Sequence, residues 1–425
     1  MTRRVDEFLP NGPSARPTDP AEGGSGLEAG KTPGARIVRA WSALLPAAAV
    51  ITVALASGCP GPEKASQAPR PALQAAWSGW QRQPGNPIIP AGNIPARPGA
   101  YYVGLADPSV LHDEGKFKMW FGYGGRDPDG AIRVRTGYAE SDDGVRWRLA
   151  VPALEPGGDW DRTNAETPSV VKDESLPAGH PRRYRLYYSG LDHNLEKLGI
   201  EALLRKGMMY GIGLAFSADG KRFTRLPGSE SPHGAEGLVL KPNPPVLDRD
   251  AWDFINVADP HVLKKDGRYH MWYTSMVREA KANRVHYAIS YATSDDGIRW
   301  TKHGPVLKPE LPWEVKRKEP SVGRPYVLWT GTRFEMFYDA MVDDDNPDKN
   351  TAFGVGFASS PDGRVWRKET QPVFVTNNGR GERRGLYVGS AVLLRDGTYY
   401  LYYPGADPDW QRYNINLATF RPVTR

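Results

Sequence analysis

The stretch Ser141-Asp142-Asp143-Gly144-Val145-Arg146-Trp147 returns three times along the chain. It comes back as Ser217-Ala218-Asp219-Gly220-Lys221-Arg222-Phe223, as Ser294-Asp295-Asp296-Gly297-Ile298-Arg299-Trp300 and as Ser360-Pro361-Asp362-Gly363-Arg364-Val365-Trp366. Asp-Gly is a hairpin signal, because the turn needs a positive φ that glycine takes without strain. The aromatic residue then opens the next strand. Each copy follows a strand rich in glycine and aromatics, such as Thr136-Gly137-Tyr138-Ala139 or Ile289-Ser290-Tyr291-Ala292.

A second unit recurs between these turns: an acid, a proline and a β-branched strand. It reads Ala106-Asp107-Pro108-Ser109-Val110-Leu111, then Ala165-Glu166-Thr167-Pro168-Ser169-Val170-Val171. It returns as Ala258-Asp259-Pro260-His261-Val262-Leu263 and as Lys318-Glu319-Pro320-Ser321-Val322. A fifth copy lacks the acid, Val388-Gly389-Ser390-Ala391-Val392-Leu393. An aromatic strand follows each, from Phe117-Lys118-Met119-Trp120-Phe121 to Tyr399-Tyr400-Leu401-Tyr402-Tyr403. The acids stand 59, 93 and 60 residues apart, and Ser390 lies 71 beyond the last.

Repetition at this period decides the fold. Four-stranded sheets repeated radially make a β-propeller. The chain is therefore expected to be all-β, a five-bladed β-propeller of four-stranded antiparallel blades; the phased repeats disfavour a β-sandwich. The long second spacing marks an insert around residues 191–209, with a short helix over Leu195–Leu204. Asn86-Pro87-Ile88-Ile89 resembles the outer-strand stretch Pro305-Val306-Leu307, so Trp80 to Pro90 should complete the last blade and close the ring.

Composition agrees. Of 425 residues, 46 are Gly and 39 Pro, too many helix breakers for a helical bundle or a Rossmann-type fold. A hydrophobic share of 40% supports a real core. One cysteine excludes a disulfide scaffold and a multi-cysteine zinc site. The 55 basic and 49 acidic residues form no Lys/Arg block, so a nucleic-acid partner is not expected.

Residues 1–35 are rich in Pro, Gly, Ser and charge without periodicity, the composition of a disordered leader. Arg36 and Arg39 then precede an apolar stretch from Trp41 to Ala56, and Ser57-Gly58-Cys59 follows. A basic flank, a short apolar core and small residues describe a secretory signal. Leu55-Ala56-Ser57-Gly58-Cys59 resembles the bacterial lipobox, which implies lipidation of Cys59. The expected organisation is a leader and lipoprotein signal peptide over 1–58, a flexible tether over 59–76 and the propeller over 77–425. The protein would then be a monomer tied to a bacterial membrane by its lipid, outside the cytoplasm, in the periplasm or at the cell surface.

The first strand of each propeller blade lines the central channel, so Asp107, Glu166, Asp259 and Glu319 should converge on one funnel. Clustered carboxylates raise one another's pKa and divide their roles between acid and base. An acid-Pro pair can also be turn chemistry alone. The repeat resembles the five-bladed propeller glycosidases: glycoside hydrolase families 43, 32 and 68, with family 130 phosphorylases as cousins. The resemblance runs from about residue 80 to the C-terminus. It implies a glycosidase on an arabino-, xylo- or fructo-type carbohydrate, with no cofactor; a family 130-like phosphorylase and a non-catalytic carbohydrate-binding propeller are the alternatives. Asp107 would be the base, Asp259 the residue that tunes the acid, and Glu319 the acid. The chain departs from family 43 in carrying Glu166 on the second blade. It departs from family 32 in lacking the Trp-x-Asn-Asp-Pro-Asn-Gly signature, since Gly104-Leu105-Ala106 precedes Asp107. The Ser-x-Asp-Gly turn also resembles the sialidase Asp-box, but lacks its residue between Asp and Gly.

Tyr101, Trp160, Trp252 and Trp313 precede the acids by six or seven residues. Such rings either stack on sugar faces or pack between blades. Arg317 flanks Glu319, and with Glu166 it is a candidate substrate-binding residue. His193, His261 and His270 show no metal-ligand spacing, and no metal site is expected. The run Asp343-Asp344-Asp345-Asn346 lacks the full EF-hand pattern and reads as a solvated loop.

Overall fold

The computed structural model describes residues 75–95, 98, 100–196, 200–315, 321–340, 354–375, 389–406 and 413–422. Their regular secondary structure is nearly all strand. β1 (Gln81–Arg82) comes first. Unit one is β2 (Tyr101–Asp113), β3 (Lys116–Arg126), β4 (Ile132–Ser141) and β5 (Arg148–Leu154). Unit two is β6 (Asn164–Lys172), β7 (Tyr184–Leu191), β8 (Tyr210–Ser217), β9 (Thr224–Arg225) and β10 (Leu238–Leu240). Unit three is β11 (Val257–Lys265), β12 (Arg268–Glu279), β13 (Arg284–Ser294) and β14 (Thr301–Leu307). Unit four is β15 (Val322–Trp329), β16 (Phe334–Ala340), β17 (Gly354–Ser360), β18 (Arg367–Lys368) and β19 (Phe374–Val375). Unit five is β20 (Ala391–Arg395), β21 (Thr398–Ala406) and β22 (Tyr413–Phe420), and β1 pairs with the free edge of β22. Within each unit the neighbours are antiparallel. Two short helices, α1 (His193–Glu196) and α2 (Ile200–Lys206), occupy the expected insert between β7 and β8.

The units join by little backbone pairing. Single parallel bridges link Val134 to Asn164 and Gly104 to Tyr413, and no ladder among the described residues closes on itself. Side chains do more. In all four Ser-x-Asp-Gly turns the glycine has a φ of 74–80° and donates its N–H to the serine hydroxyl at 2.8–2.9 Å. The glycine carbonyl is left facing the adjacent unit. Trp120 Nε1 donates to Gly220 at 2.7 Å, Tyr187 to Gly297 at 2.9 Å, Trp272 Nε1 to Gly363 at 2.8 Å and Tyr402 to Gly144 at 3.2 Å. These bonds run from unit one to two, two to three, three to four and five to one. The equivalent residue of unit four is Phe337, which has no donor. Unit five has no such turn to receive one, and Trp77 packs edge-on against Phe337 at 5.7 Å instead.

The cores lie between units. One cluster joins Trp120 and Tyr138 of unit one to Tyr184, Leu186 and Tyr188 of unit two. Another joins Trp272 and Ile289 of unit three to Val327 and Met336 of unit four. Glycines on the third strands let second-strand rings lie flat. A Cβ on Gly213 would stand 2.2 Å from the Tyr188 ring, and one on Gly356 would stand 2.2 Å from Tyr338. The segment before β2 is held as expected: Asn86 Nδ2 donates to Leu417 O at 3.0 Å and Asn86 Oδ1 accepts from Leu417 N at 2.9 Å. Among the described residues no helix is long and apolar enough to cross a membrane; Cys59 and the stretch before it lie outside them.

Candidate active site

The first strand of units one to four carries the same fault. Ala106 pairs with Gly122 and Ser109 with Trp120, so two residues, Asp107 and Pro108, oppose one, Phe121. The same bulge recurs at Thr167-Pro168, Asp259-Pro260 and Arg324-Pro325. Proline suits it, because the unpaired extra residue brings no N–H to be left unsatisfied. The residue before each proline has a positive φ: 50° at Asp107, 48° at Thr167, 51° at Asp259 and 50° at Arg324. Gly389, before Ser390, matches at 75°. Left-handed backbone is uncommon outside glycine and costly for a β-branched residue such as Thr167. Each such residue stores about 1–3 kcal/mol, and strain of this kind collects at functional sites. All five pairs line one pocket.

This register corrects the one read from the sequence. Glu166 stands one residue before its bulge, and the fourth unit presents Arg324 where Glu319 was expected. Glu319 and Arg317 lie outside the described residues. The true spacings are 60, 92, 65 and 65 (107, 167, 259, 324, 389).

Hydrogen bonds between units hold the bulges. Ser109 Oγ accepts from Val170 N at 3.2 Å, Ser169 Oγ from Val262 N at 2.9 Å and His261 Nδ1 from Val327 N at 3.2 Å. Tyr326 reaches across to donate to Val110 O at 3.2 Å. His261 is thus a structural acceptor, and burial lowers its pKa to about 3, which keeps the ring neutral. A second set pins the strained residues: Ser189 Oγ accepts from Asp259 N at 2.7 Å, Thr274 Oγ1 from Arg324 N at 2.8 Å and Asp339 Oδ2 from Gly389 N at 2.7 Å.

Two carboxyls, Asp107 and Asp259, and one guanidinium, Arg324, line the pocket. Asp107 Oδ1 lies 3.9 Å from Arg324 Nε. Asp107 Oδ2 and Glu166 Cβ each come within 3.9 Å of where a Gly122 Cβ would stand. Burial pushes the Asp107 pKa well above the ordinary carboxyl range; Arg324 opposes this, while Asp259, Glu166 and Asp339 add to it. Burial also raises Glu166, against hydrogen bonds from Tyr210 (2.9 Å) and Asn164. Asp339 is pushed up to about 6 by burial, held back by Arg324 and the Gly389 N–H. Carboxyls with raised and unequal proton affinities can divide acid and base roles. Arg324 and Asp339 were not foreseen. Their signals were present: Arg324-Pro325 stands nine residues before its aromatic strand, as Asp107-Pro108 and Asp259-Pro260 do, and Asp339 is a charge in a strand that has Gly122, Ser189 or Thr274 in the other units.

Two of the four aromatics prove to be packing residues, which corrects their reading as a sugar platform. Trp160 is buried, stacks on Tyr188 at 5.8 Å and donates to Glu236 O at 2.9 Å. Trp313 is buried and stacks on Tyr338 at 6.3 Å. Trp252 is half-buried, with Lys302 Nζ 5.8 Å from its ring. Tyr101 opens β2, and its side chain lies outside what is described. The residue after each tryptophan is the informative one. Asp161, Asp253 and Glu314 are buried, accept from Tyr188, Tyr273 and Tyr338 at 2.7–3.0 Å, and pair with Arg225, Lys302 and Lys368 at 2.8–2.9 Å. Among the described residues no group of three or more His, Cys, Asp or Glu could hold a metal. The run 343–346 lies outside them.

No family model matches the chain. Over 260 residues it is 26% identical to an uncharacterized protein of Mycobacterium tuberculosis, covering 59% of this chain and 71% of that one. Over 82 residues it is 37% identical to a "Probable sucrose-6-phosphate hydrolase" of Psychromonas ingrahamii, 19% of this chain and only 15% of that protein. Among solved structures it resembles a β-1,2-mannobiose phosphorylase from Listeria innocua (TM-score 0.56, 13% identity, 81% of this chain and 97% of that one). It also resembles a glycosyl hydrolase from Bacteroides ovatus (TM-score 0.55, 16% identity, 83% and 97%). A third neighbour is a thermostable family-43 glycoside hydrolase (TM-score 0.50, 17% identity, 75% and 90%). The likeness is one of fold: the chain is built like the propeller glycoside hydrolases and phosphorylases.

Proposed function

We propose that this chain is a glycoside hydrolase whose five units are the blades of a propeller around the Asp107 pocket. The observation that carries the reading is the set of four strained bulges that line one pocket together with Gly389-Ser390, two of the bulges bearing carboxyls, Asp107 and Asp259, in a fold shared with propeller glycosidases. Asp107 is the base that takes a proton from water. Its raised pKa makes it a stronger base once ionised, and a base works best when its pKa approaches the working pH. Glu319, just ahead of β15, is the proton donor to the leaving oxygen, and Asp259 tunes the site, as the family resemblance implies. The catalytic domain runs over 77–425. Cys59 anchors it by lipid outside the cytoplasm; the sequence before the tether supports this.

The test is hydrolysis of arabino-, xylo- and fructo-oligosaccharides by the purified protein, with Asp107→Asn and Glu319→Gln variants alongside. Full activity in those variants would defeat the assignment.

The likeness to a phosphorylase keeps a second reading in view. A phosphorylase must hold phosphate with cations. The four bulges supply one, Arg324, against two acids, Asp107 and Asp259, which favours water as the acceptor. Turnover that requires added phosphate would reverse that choice.

A further inference from the structure

Three latches pin the strained backbone of the pocket, and one of them differs in kind. Ser189 and Thr274 hold the N–H groups of Asp259 and Arg324 with neutral hydroxyls. At the matching place in unit four, Asp339 holds the Gly389 N–H with a carboxylate at 2.7 Å. A hydroxyl is enough for this bond, as the other two show. A carboxylate is a costly substitute here, because Asp339 is 2% exposed and a buried charge loses its hydration. Its surroundings give the charge a second task. From β15 it faces Arg324, from β11 Asp259, from β2 Asp107, and the backbone it holds belongs to Gly389. Gly389 is the wall against which Asp107 lies, since a Cβ there would stand 2.1 Å from Asp107 Oδ1.

We propose that Asp339 is a positioning residue of this site: it fixes the Gly389 wall behind Asp107 and shares the Arg324 guanidinium with it. Both carboxyls feel the charge of that one cation. The negative charge of Asp339 raises the proton affinity of Asp107, and Arg324 limits the rise. A carboxylate therefore does two things that a serine or threonine latch cannot do together. It places the wall, and it holds the base at a proton affinity suited to accepting a proton from water. The assignment builds on the glycoside hydrolase reading for its kinetic test alone.

The experiment compares wild type with Asp339→Asn and Asp339→Thr in the full chain. Both variants can still accept the Gly389 N–H, Thr in the manner of Thr274, so both should fold. Two readouts are taken: the pH profile of kcat/KM on a cleaved oligosaccharide, and Tm from pH 4 to pH 8. Loss of a like charge should move the acidic limb to lower pH by roughly half a unit to one unit. Loss of a carboxyl raised to about 6 should also shrink the fall in Tm between about pH 4 and about pH 6. An acidic limb unmoved in both variants overturns the proposal and leaves Asp339 a backbone latch. If wild type cleaves no sugar, the hydrolase reading fails by itself. The Tm curves then decide for Asp339, and curves parallel to wild type overturn its role.

Discussion

Gly389 presses against Asp107 so closely that a methyl group in place of its hydrogen would stand 2.1 Å from Oδ1 and 3.0 Å from the Asp107 Cα. Both residues have a positive φ, 75° and 50°, and they meet across the join between the last unit and the first. The base proposed for catalysis is thus placed by the unit whose matching position carries a glycine.

Gly389→Ala should therefore damage activity more than stability. The left-handed backbone costs an alanine about 1–2 kcal/mol. The added carbon displaces the carboxylate, and a shift of about 1 Å at a reacting group can lower the rate about a hundredfold. Activity and urea unfolding measured together check this. A variant as active as wild type would mean that Asp107 does not act from its present position.

Arg324→Gln should move the acidic limb of kcat/KM upward. The guanidinium stabilises the Asp107 carboxylate, so its loss favours the protonated form. The expected rise is about one pH unit. The direction is opposite to that expected for Asp339→Asn, so the pair of profiles tests the arrangement internally.

Stability should peak in mild acid. Asp107, Glu166 and Asp339 are all raised by burial, so their favourable contribution is complete below about pH 4 and fades as pH rises, through about 6 for Asp339. Asp113, bonded to Lys118 and Lys172, is lowered to about 2, so its contribution is present above about pH 4 and lost as pH falls toward that value. The opposing slopes place the maximum near about pH 4–5. A series of thermal melts reads it directly. A Tm that climbs steadily from pH 5 to pH 8 would contradict the buried-carboxyl account.

Asn86→Ala should loosen the last unit. It removes two buried hydrogen bonds to Leu417 and strands their backbone partners, at a cost of about 2–3 kcal/mol. The readout is the urea midpoint. An unchanged midpoint would mean that the segment before residue 90 does not complete unit five.

Much of the fold is legible in the sequence because the turn chemistry is local. Asp143-Gly144 and its three counterparts need only their own serine and glycine to form, and they set the phase of the strands. The pocket register is harder to read, because it rests on backbone shape and not on residue type. The bulge accepts Asp107, Thr167, Asp259 or Arg324, and its constant companion is the proline after it. Lys318-Glu319-Pro320-Ser321-Val322 imitates that pattern five residues too early. The distance to the next aromatic strand favours the later one: it is nine residues from Pro108 to Phe117, from Pro260 to Tyr269 and from Pro325 to Phe334, against fourteen from Pro320, although unit two spans sixteen from Pro168 to Tyr184. Asp339 was hidden differently. It acts through a hydrogen bond to Gly389, fifty residues away, which no local pattern encodes.

The central claim is that Asp107 performs chemistry in this pocket, and the most direct measurement is turnover of arabino-, xylo- and fructo-oligosaccharides by wild type and Asp107→Asn at matched folding. Wild type should release sugar from at least one of them. The variant should retain its Tm to within a few degrees and lose roughly a hundredfold to ten-thousandfold in kcat. An Asp107→Asn protein that hydrolyses the same substrate at the wild-type rate would contradict the account.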